Sequence, residues 1–261
     1  MYEPNEVQIS ERYLEKVFQL IKGNICLLGG WATYHIVNKN FEKATGRKYI
    51  GSRDIDIGFH INKNWSEEQL KKSEFAAAIK RIEDIGFRSV SFRLIKDFNL
   101  ETEKELTPTE SAKLPQYQIF NLFVDPIVDY IHPKIKPLLG FVPIDEPLLS
   151  LVFTQKLCTT SSLFGTNVIL PKTHVLLAMK LNSVTNRDQE HKKIKDITDI
   201  YALLWHSNVK ITQLKNQLLS IYPEEKTRKT IRNLKKEDIN RASTTIGVDT
   251  REITRVLAEL K

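Results

Sequence analysis

Asp54 and Asp56 are separated by one isoleucine in the run Ser52-Arg53-Asp54-Ile55-Asp56-Ile57. Polar and apolar residues alternate there, the pattern of a half-buried strand, so both carboxylates leave the same face while Ile55 and Ile57 turn toward a core. Two carboxylates at that spacing can share one or two divalent cations. Such cations prefer oxygen ligands, neutralise phosphate charge and activate an attacking hydroxyl, the requirements of phosphoryl and nucleotidyl transfer. An Asp-x-Asp alone also fits the solvent face of a strand. Aspartate is nevertheless disfavoured in strands, and two of them between Ile50 and Phe59 call for a positive partner.

A second constraint lies upstream. Ile25-Cys26-Leu27-Leu28 reads as a short buried strand running into Gly29-Gly30, after which Trp31 to Val37 takes helical spacing. Glycines between a strand and a helix let the backbone approach a phosphate at the positive end of the helix. Many such turns carry glycine for steric reasons only, so the pair gains meaning from the carboxylates that follow it. Ser52 and Arg53, just before them, offer a hydroxyl and a guanidinium to a triphosphate, and Arg53 equally suits a surface acid.

Together, Leu28-Gly29-Gly30-Trp31-Ala32 and Ser52-Arg53-Asp54-Ile55-Asp56-Ile57 resemble the nucleotidyltransferase superfamily of the polymerase-β type. The resemblance implies that Asp54 and Asp56 are catalytic metal ligands, that Gly29, Gly30, Ser52 and Arg53 contact nucleotide, and that a later strand supplies a third carboxylate. The run Phe123 to Pro133 holds two candidates. Asp129, between Val128 and Tyr130, is favoured; Asp125, before a proline that removes a ladder donor, is the second choice.

Pro171 to Leu181, then Arg187, then Lys195-Asp196-Ile197-Thr198-Asp199 look like the AbiEii-type branch, which includes toxins of toxin–antitoxin pairs. There Lys180, Lys195, Asp196 and Asp199 match a helix with Ala-x-Lys and a following helix with basic-Asp-x-x-Asp that flank the nucleotide. Lys180 would reach phosphates and Asp199 would orient Lys180 or Arg187. A purely structural ion-pair network is the alternative. The resemblance covers residues 25 to about 204.

These residues must be carried by an α+β architecture with a mixed sheet flanked by helices, followed by a mostly helical region. The expected elements are a helix over 9–22, the strand–turn–helix at 25–37, the carboxylate strand, and a helix over 66–84. Strands follow in 87–94 and 117–131, then a β-like piece ending at 170, and helices over 173–184, 188–205, 211–221 and 249–260. Residues 38–48 read as a polar connection. We expect a catalytic domain over 1–146 and a helical domain over 147–261, with the active site between them.

Over 261 residues, 41% hydrophobic and 27% charged, the chain has the composition of an ordinary globular protein. Its net charge of +7, with basic residues enriched after Ser207, suits a polyanionic partner and equally a solvated surface. Cys26 and Cys158 form no CxxC pair, and neither a secretory signal nor a long apolar run is visible, so a cytoplasmic, membrane-free protein is expected. Six histidines lack HExxH spacing, and GxSxG and GxxxxGK[ST] are absent.

The expected activity is therefore transfer of a nucleoside monophosphate from NTP, with Mg²⁺ or Mn²⁺, to an acceptor hydroxyl. A tRNA 3′ end stands first among acceptors, and the resemblance implies an antitoxin protein as partner. The alternative is a non-catalytic module that binds nucleotide or RNA.

Overall fold

The computed structural model describes residues 3–261. The chain opens with α1 (Pro4–Leu20), β1 (Cys26–Leu27), α2 (Gly29–Thr45) and β2 (Ile55–Phe59). Next come α3 (Glu67–Lys71), α4 (Glu74–Asp84), β3 (Arg88–Val90), β4 (Arg93–Asn99), β5 (Glu105–Leu106) and α5 (Pro108–Ser111). The sheet region is completed by β6 (Ile119–Val128), α6 (Ile135–Leu139), β7 (Ile144–Asp145), α7 (Leu149–Thr154), β8 (Cys158–Leu163) and β9 (Thr166–Pro171). Helices then follow one another: α8 (Thr173–Val184), α9 (Glu190–His206), α10 (Ile211–Leu219), α11 (Glu224–Arg232), α12 (Lys236–Ile246) and α13 (Thr250–Ala258).

The nine strands form one mixed sheet in the order β3-β4-β6-β2-β1-β9-β8, with β5 beside β4 and β7 beside β6. The expected α+β class, a mixed sheet with helices and a mainly helical C-terminal region, is what the chain forms. By contacts it divides into two compact units, one holding residues up to Gly29 with Gly51–Leu170, the other Gly30–Ile50 with Pro171–Lys261. This differs from the expected division at 146/147. Strands β8 and β9 extend the sheet beside β1, because Ile169 pairs with Cys26, while α2 groups with the C-terminal helices.

Local chemistry explains the other differences. The predicted helix over 66–84 is two helices. Ser73 caps α4 by accepting from the Ala76 amide, and its hydroxyl also donates to the Leu70 carbonyl, which closes α3. The stretch 38–45 is the continuation of α2 rather than a connection, since Phe41 on it is buried and packs edge-on against Tyr49 and His206.

Register in the sheet matters most for the site. β2 and β6 run parallel with Asp56 opposite Asp125, and β4 runs antiparallel to β6 with Leu94 opposite Val124. β1 is antiparallel to β2, and the Leu28 amide donates to the Asp56 carbonyl at 3.0 Å. Pro126 is accommodated because the β4 pairing ends at Val124 and the β7 pairing begins at Ile127. The missing donor falls where β6 changes partner.

Candidate functional site

A row of chemistry-bearing groups crosses the sheet. Reading the β4–β6 register one step past Leu94–Val124 brings Arg93 beside Asp125, and the β6–β2 register brings Asp125 beside Asp56. Asp54, two residues before Asp56, belongs to the same face. At the other end, Gly29 holds φ at +62°, and a Cβ built on it would lie 1.7 Å from Asp56 Oδ2. That position tolerates only glycine, on conformational and steric grounds at once. The glycine turn and the Asp-x-Asp strand, two motifs apart in the sequence, are therefore in van der Waals contact.

Carboxylates gather around one guanidinium in this row. Arg93 Nε donates to Asp125 Oδ1 at 2.9 Å, its Nη2 pairs with Asp125 Oδ2, and Nη2 lies 3.8 Å from Asp54 Oδ2. One guanidinium thus serves two carboxylates, Asp125 and Asp54. Its plane lies over the Phe123 ring at 3.9 Å and near Phe92 at 5.2 Å. Burial, then repulsion from Asp56, push Asp125 up to about 7 despite Arg93, because a desolvated carboxylate beside like charges resists ionisation. For Arg93, the attraction of Asp125, Asp54 and Asp56 outweighs its own desolvation, and its pKa rises.

The structure sets the two candidate third carboxylates in different surroundings, with Asp125 beside Asp56 and Asp129 farther along. Asp129 is on the β6 side but four residues beyond Asp125. Its Oδ1 accepts from the Ile61 amide at 2.8 Å, and its Oδ2 is 2.5 Å from His60 Nδ1. It ties the far ends of β2 and β6 together and does not approach Asp54 or Asp56. The proline argument that disfavoured Asp125 fails because Pro126 sits at a gap between partners. Arg53 is held at 3.0 Å by the buried Glu6 of α1 and lies over the Phe120 ring at 5.3 Å. Ser52 is buried just before the carboxylates. Gly30, also buried, follows Gly29 in the first turn of α2. Arg93 itself was not foreseen; a single arginine in a β-run shows its partner only through strand register.

The second group of expected residues lies in the helical unit. Lys180 Nζ of α8 is 2.8 Å from both Asp196 Oδ1 and Asp199 Oδ2 of α9. Lys195 pairs with Asp199, Arg187 Nε reaches Asp196 Oδ2 at 2.7 Å, and Ser183 donates to the same oxygen at 2.9 Å. Tyr49 donates to Asp199 Oδ1 at 2.8 Å, and Lys195 lies over the Tyr49 ring. Lys180, Lys195, Asp196 and Asp199 are all buried. Burial lowers the Lys195 pKa, whereas for Lys180 the two aspartates outweigh burial and raise it. Asp199 pairs with both Lys180 and Lys195 in a buried ion-pair network.

Asp54, Asp56 and Asp125 offer hard oxygen donors of the kind a divalent cation takes. Among the described residues no three His, Cys, Asp or Glu side chains converge as a ready metal cage. Arg93 occupies the side of Asp125 that a cation would use. Among the described residues no helix is long and apolar enough to cross a membrane.

No protein-family model and no curated protein matches the chain. Among solved structures, an antigenic nucleotidyltransferase-like protein from Paracoccidioides brasiliensis aligns over 77% of this chain and 75% of that one, with 19% identity and a TM-score of 0.36.

Proposed function

We propose that the chain is a nucleotidyltransferase that moves a nucleoside monophosphate from an NTP to an acceptor hydroxyl. The observation that carries this reading is the contact between Gly29 and Asp56: it joins a phosphate-compatible glycine turn to a strand bearing two carboxylates. Asp54 and Asp56, with Asp125 in register, would hold Mg²⁺ or Mn²⁺. When bound, such an ion supplies neutralisation of triphosphate charge and activation of the acceptor hydroxyl. The absent side chain of Gly29 lets the Asp56 carboxylate lie directly against the turn. Gly30 continues that turn, and the buried hydroxyl of Ser52 completes the polar surroundings. Lys180, fixed by Asp199, belongs to a network that also holds Lys195 and Arg187, and a lysine of this kind suits a phosphate as a point charge.

A tRNA 3′ end is the acceptor we place first. The support is electrostatic: α11 carries Lys226, Arg228, Lys229 and Arg232 within two and a half turns, a natural surface for a nucleic-acid backbone. A role as the toxin of an AbiEii-like toxin–antitoxin pair, with an antitoxin protein as partner, rests on the Lys180 to Asp199 pattern. A cytoplasmic location follows from that reading.

The test is incubation of the purified protein with each α-labelled NTP, Mg²⁺ and total RNA or total protein. Wild type should transfer label to one acceptor class, and Asp54→Ala and Asp56→Ala should each lose at least about a thousandfold in rate. Equal transfer by all three proteins would sink the proposal. One observation favours the alternative of a non-catalytic nucleotide- or RNA-binding module: Arg93 already occupies both oxygens of Asp125. Tight NTP binding with no label transferred to any acceptor would establish that alternative.

A further inference from the structure

We infer that Arg93 is a built-in counter-cation that competes with the divalent ion for Asp125, so that it sets how tightly the site holds metal before substrate arrives. This rests on reading Asp54, Asp56 and Asp125 as the cation ligands.

Several observations converge on it. Arg93 and Asp125 each stand one residue beyond Leu94–Val124, the last β4–β6 pair, which brings the guanidinium beside the carboxylate. Two of its nitrogens engage both oxygens of Asp125, the arrangement with the greatest directional strength for this pair. The same Nη2 is 3.8 Å from Asp54, so a unit positive charge stands among the three carboxylates. The Phe123 ring beneath the guanidinium, at 3.9 Å, holds its plane and shields it from water. With a side-chain exposure of 15% against 6% for Asp125, Arg93 covers the carboxylate on its open side.

A purely structural salt bridge would not need to stand where a functional ion belongs. Elsewhere in the same sheet Asp97 receives Arg88, Ser111 and Asn121, a fully hydrogen-bonded carboxylate with no second carboxylate beside it. Asp125 differs, because its neighbours in the row are Asp56 and Asp54. With both oxygens of Asp125 occupied, a divalent ion meets only two of the three carboxylates and one repelling charge. For all three to serve, the guanidinium has to swing off Asp125. It stays on the same strand, and a triphosphate entering with its own ion offers it a new anionic partner. Metal and nucleotide would then bind with positive coupling, each easing the entry of the other.

The measurement is calorimetric titration of Mn²⁺ into the full-length protein without nucleotide. Arg93→Met and Arg93→Gln should bind Mn²⁺ about tenfold or more tightly than wild type, since a competing unit charge at contact distance has been removed. Adding Asp125→Asn to Arg93→Met should return the affinity toward the wild-type value. Unchanged or weaker Mn²⁺ binding in folded Arg93→Met and Arg93→Gln proteins overturns the inference. A wild-type readout covers the case in which both variants unfold: the Arg93 Nε–H resonance, assigned by its loss in Arg93→Lys, should shift on saturation with Mg²⁺. A resonance that stays fixed overturns the inference as well. Tighter Mn²⁺ binding without any label transfer would retain Arg93 as competitor while removing the transferase reading. Label transfer that depends on Asp54, with Mn²⁺ affinity indifferent to Arg93, would do the reverse.

Discussion

The carboxylate row of the sheet and the lysine–aspartate network of the helical unit are built from the same side-chain types and end in opposite states. The row has three carboxylates and one guanidinium; the network has three cations and two carboxylates. The row opens toward solvent at Asp54, with 21% of that side chain exposed, whereas Asp199 is fully buried. A buried pair has to be satisfied internally because desolvation leaves no other partner. A partly exposed cluster is open to a ligand. The contrast separates groups arranged to receive something from groups arranged to hold one another.

The widest gap between the two carboxylates of β6 should appear in catalysis. Asp125→Asn should lower label transfer by at least about a thousandfold, whereas Asp129→Asn, which leaves the row intact, should keep it within about tenfold of wild type. The opposite ranking in a rate assay would restore Asp129 as the third ligand and break the description of the row.

In the helical unit the main effect should be on stability. Lys180→Met leaves Asp196 and Asp199 with fewer partners in a buried setting and should cost about 3–5 kcal/mol in urea unfolding. A loss below about 1 kcal/mol, coupled to a large rise in KM for NTP, would move Lys180 from the holding class to the receiving class.

The smallest effect concerns acid. Burial pushes His35, on α2, down to about 4, so the folded chain keeps it neutral where the unfolded chain binds a proton. Its contribution is therefore complete above about pH 6.5 and is lost as pH falls toward 4, by up to about 3 kcal/mol. Urea midpoints followed from pH 7 to pH 4 should fall, and His35→Gln should flatten that slope. A slope unchanged by the substitution would assign the acid sensitivity elsewhere.

Much of this architecture is legible in residue spacing. The Asp54-Ile55-Asp56-Ile57 alternation marks β2, and the apolar periodicity of 173–184 marks α8 to the residue. Lys195 and Asp199, four apart, announce their own pairing. The parts that escaped depend on information held between segments. Asp125 is next to Asp56 only because β2 and β6 are parallel with that register, and nothing local to Asp125-Pro126 encodes it. Arg93 needed two registers at once. α11 and α12 were missed for a different reason: Glu224–Arg232 is nearly all polar, and the face it buries is made by Thr227, Thr230 and Ile231. α12 buries Asp238, Ala242 and Ile246, a stripe too thin to show as a period.

The register of the row has a consequence for when the site can exist. Gly29, Asp56, Arg93 and Asp125 come from four strands or strand ends, and their meeting requires β1, β2, β4 and β6 to be paired. During synthesis Asp54 and Asp56 emerge long before β6 has left the ribosome. A nascent chain thus carries the beginnings of the cluster without its geometry, and long-range pairing of this kind is late and slow to close. The site is in this sense a certificate of a finished sheet: whatever chemistry it performs is withheld until the last of its strands is in place.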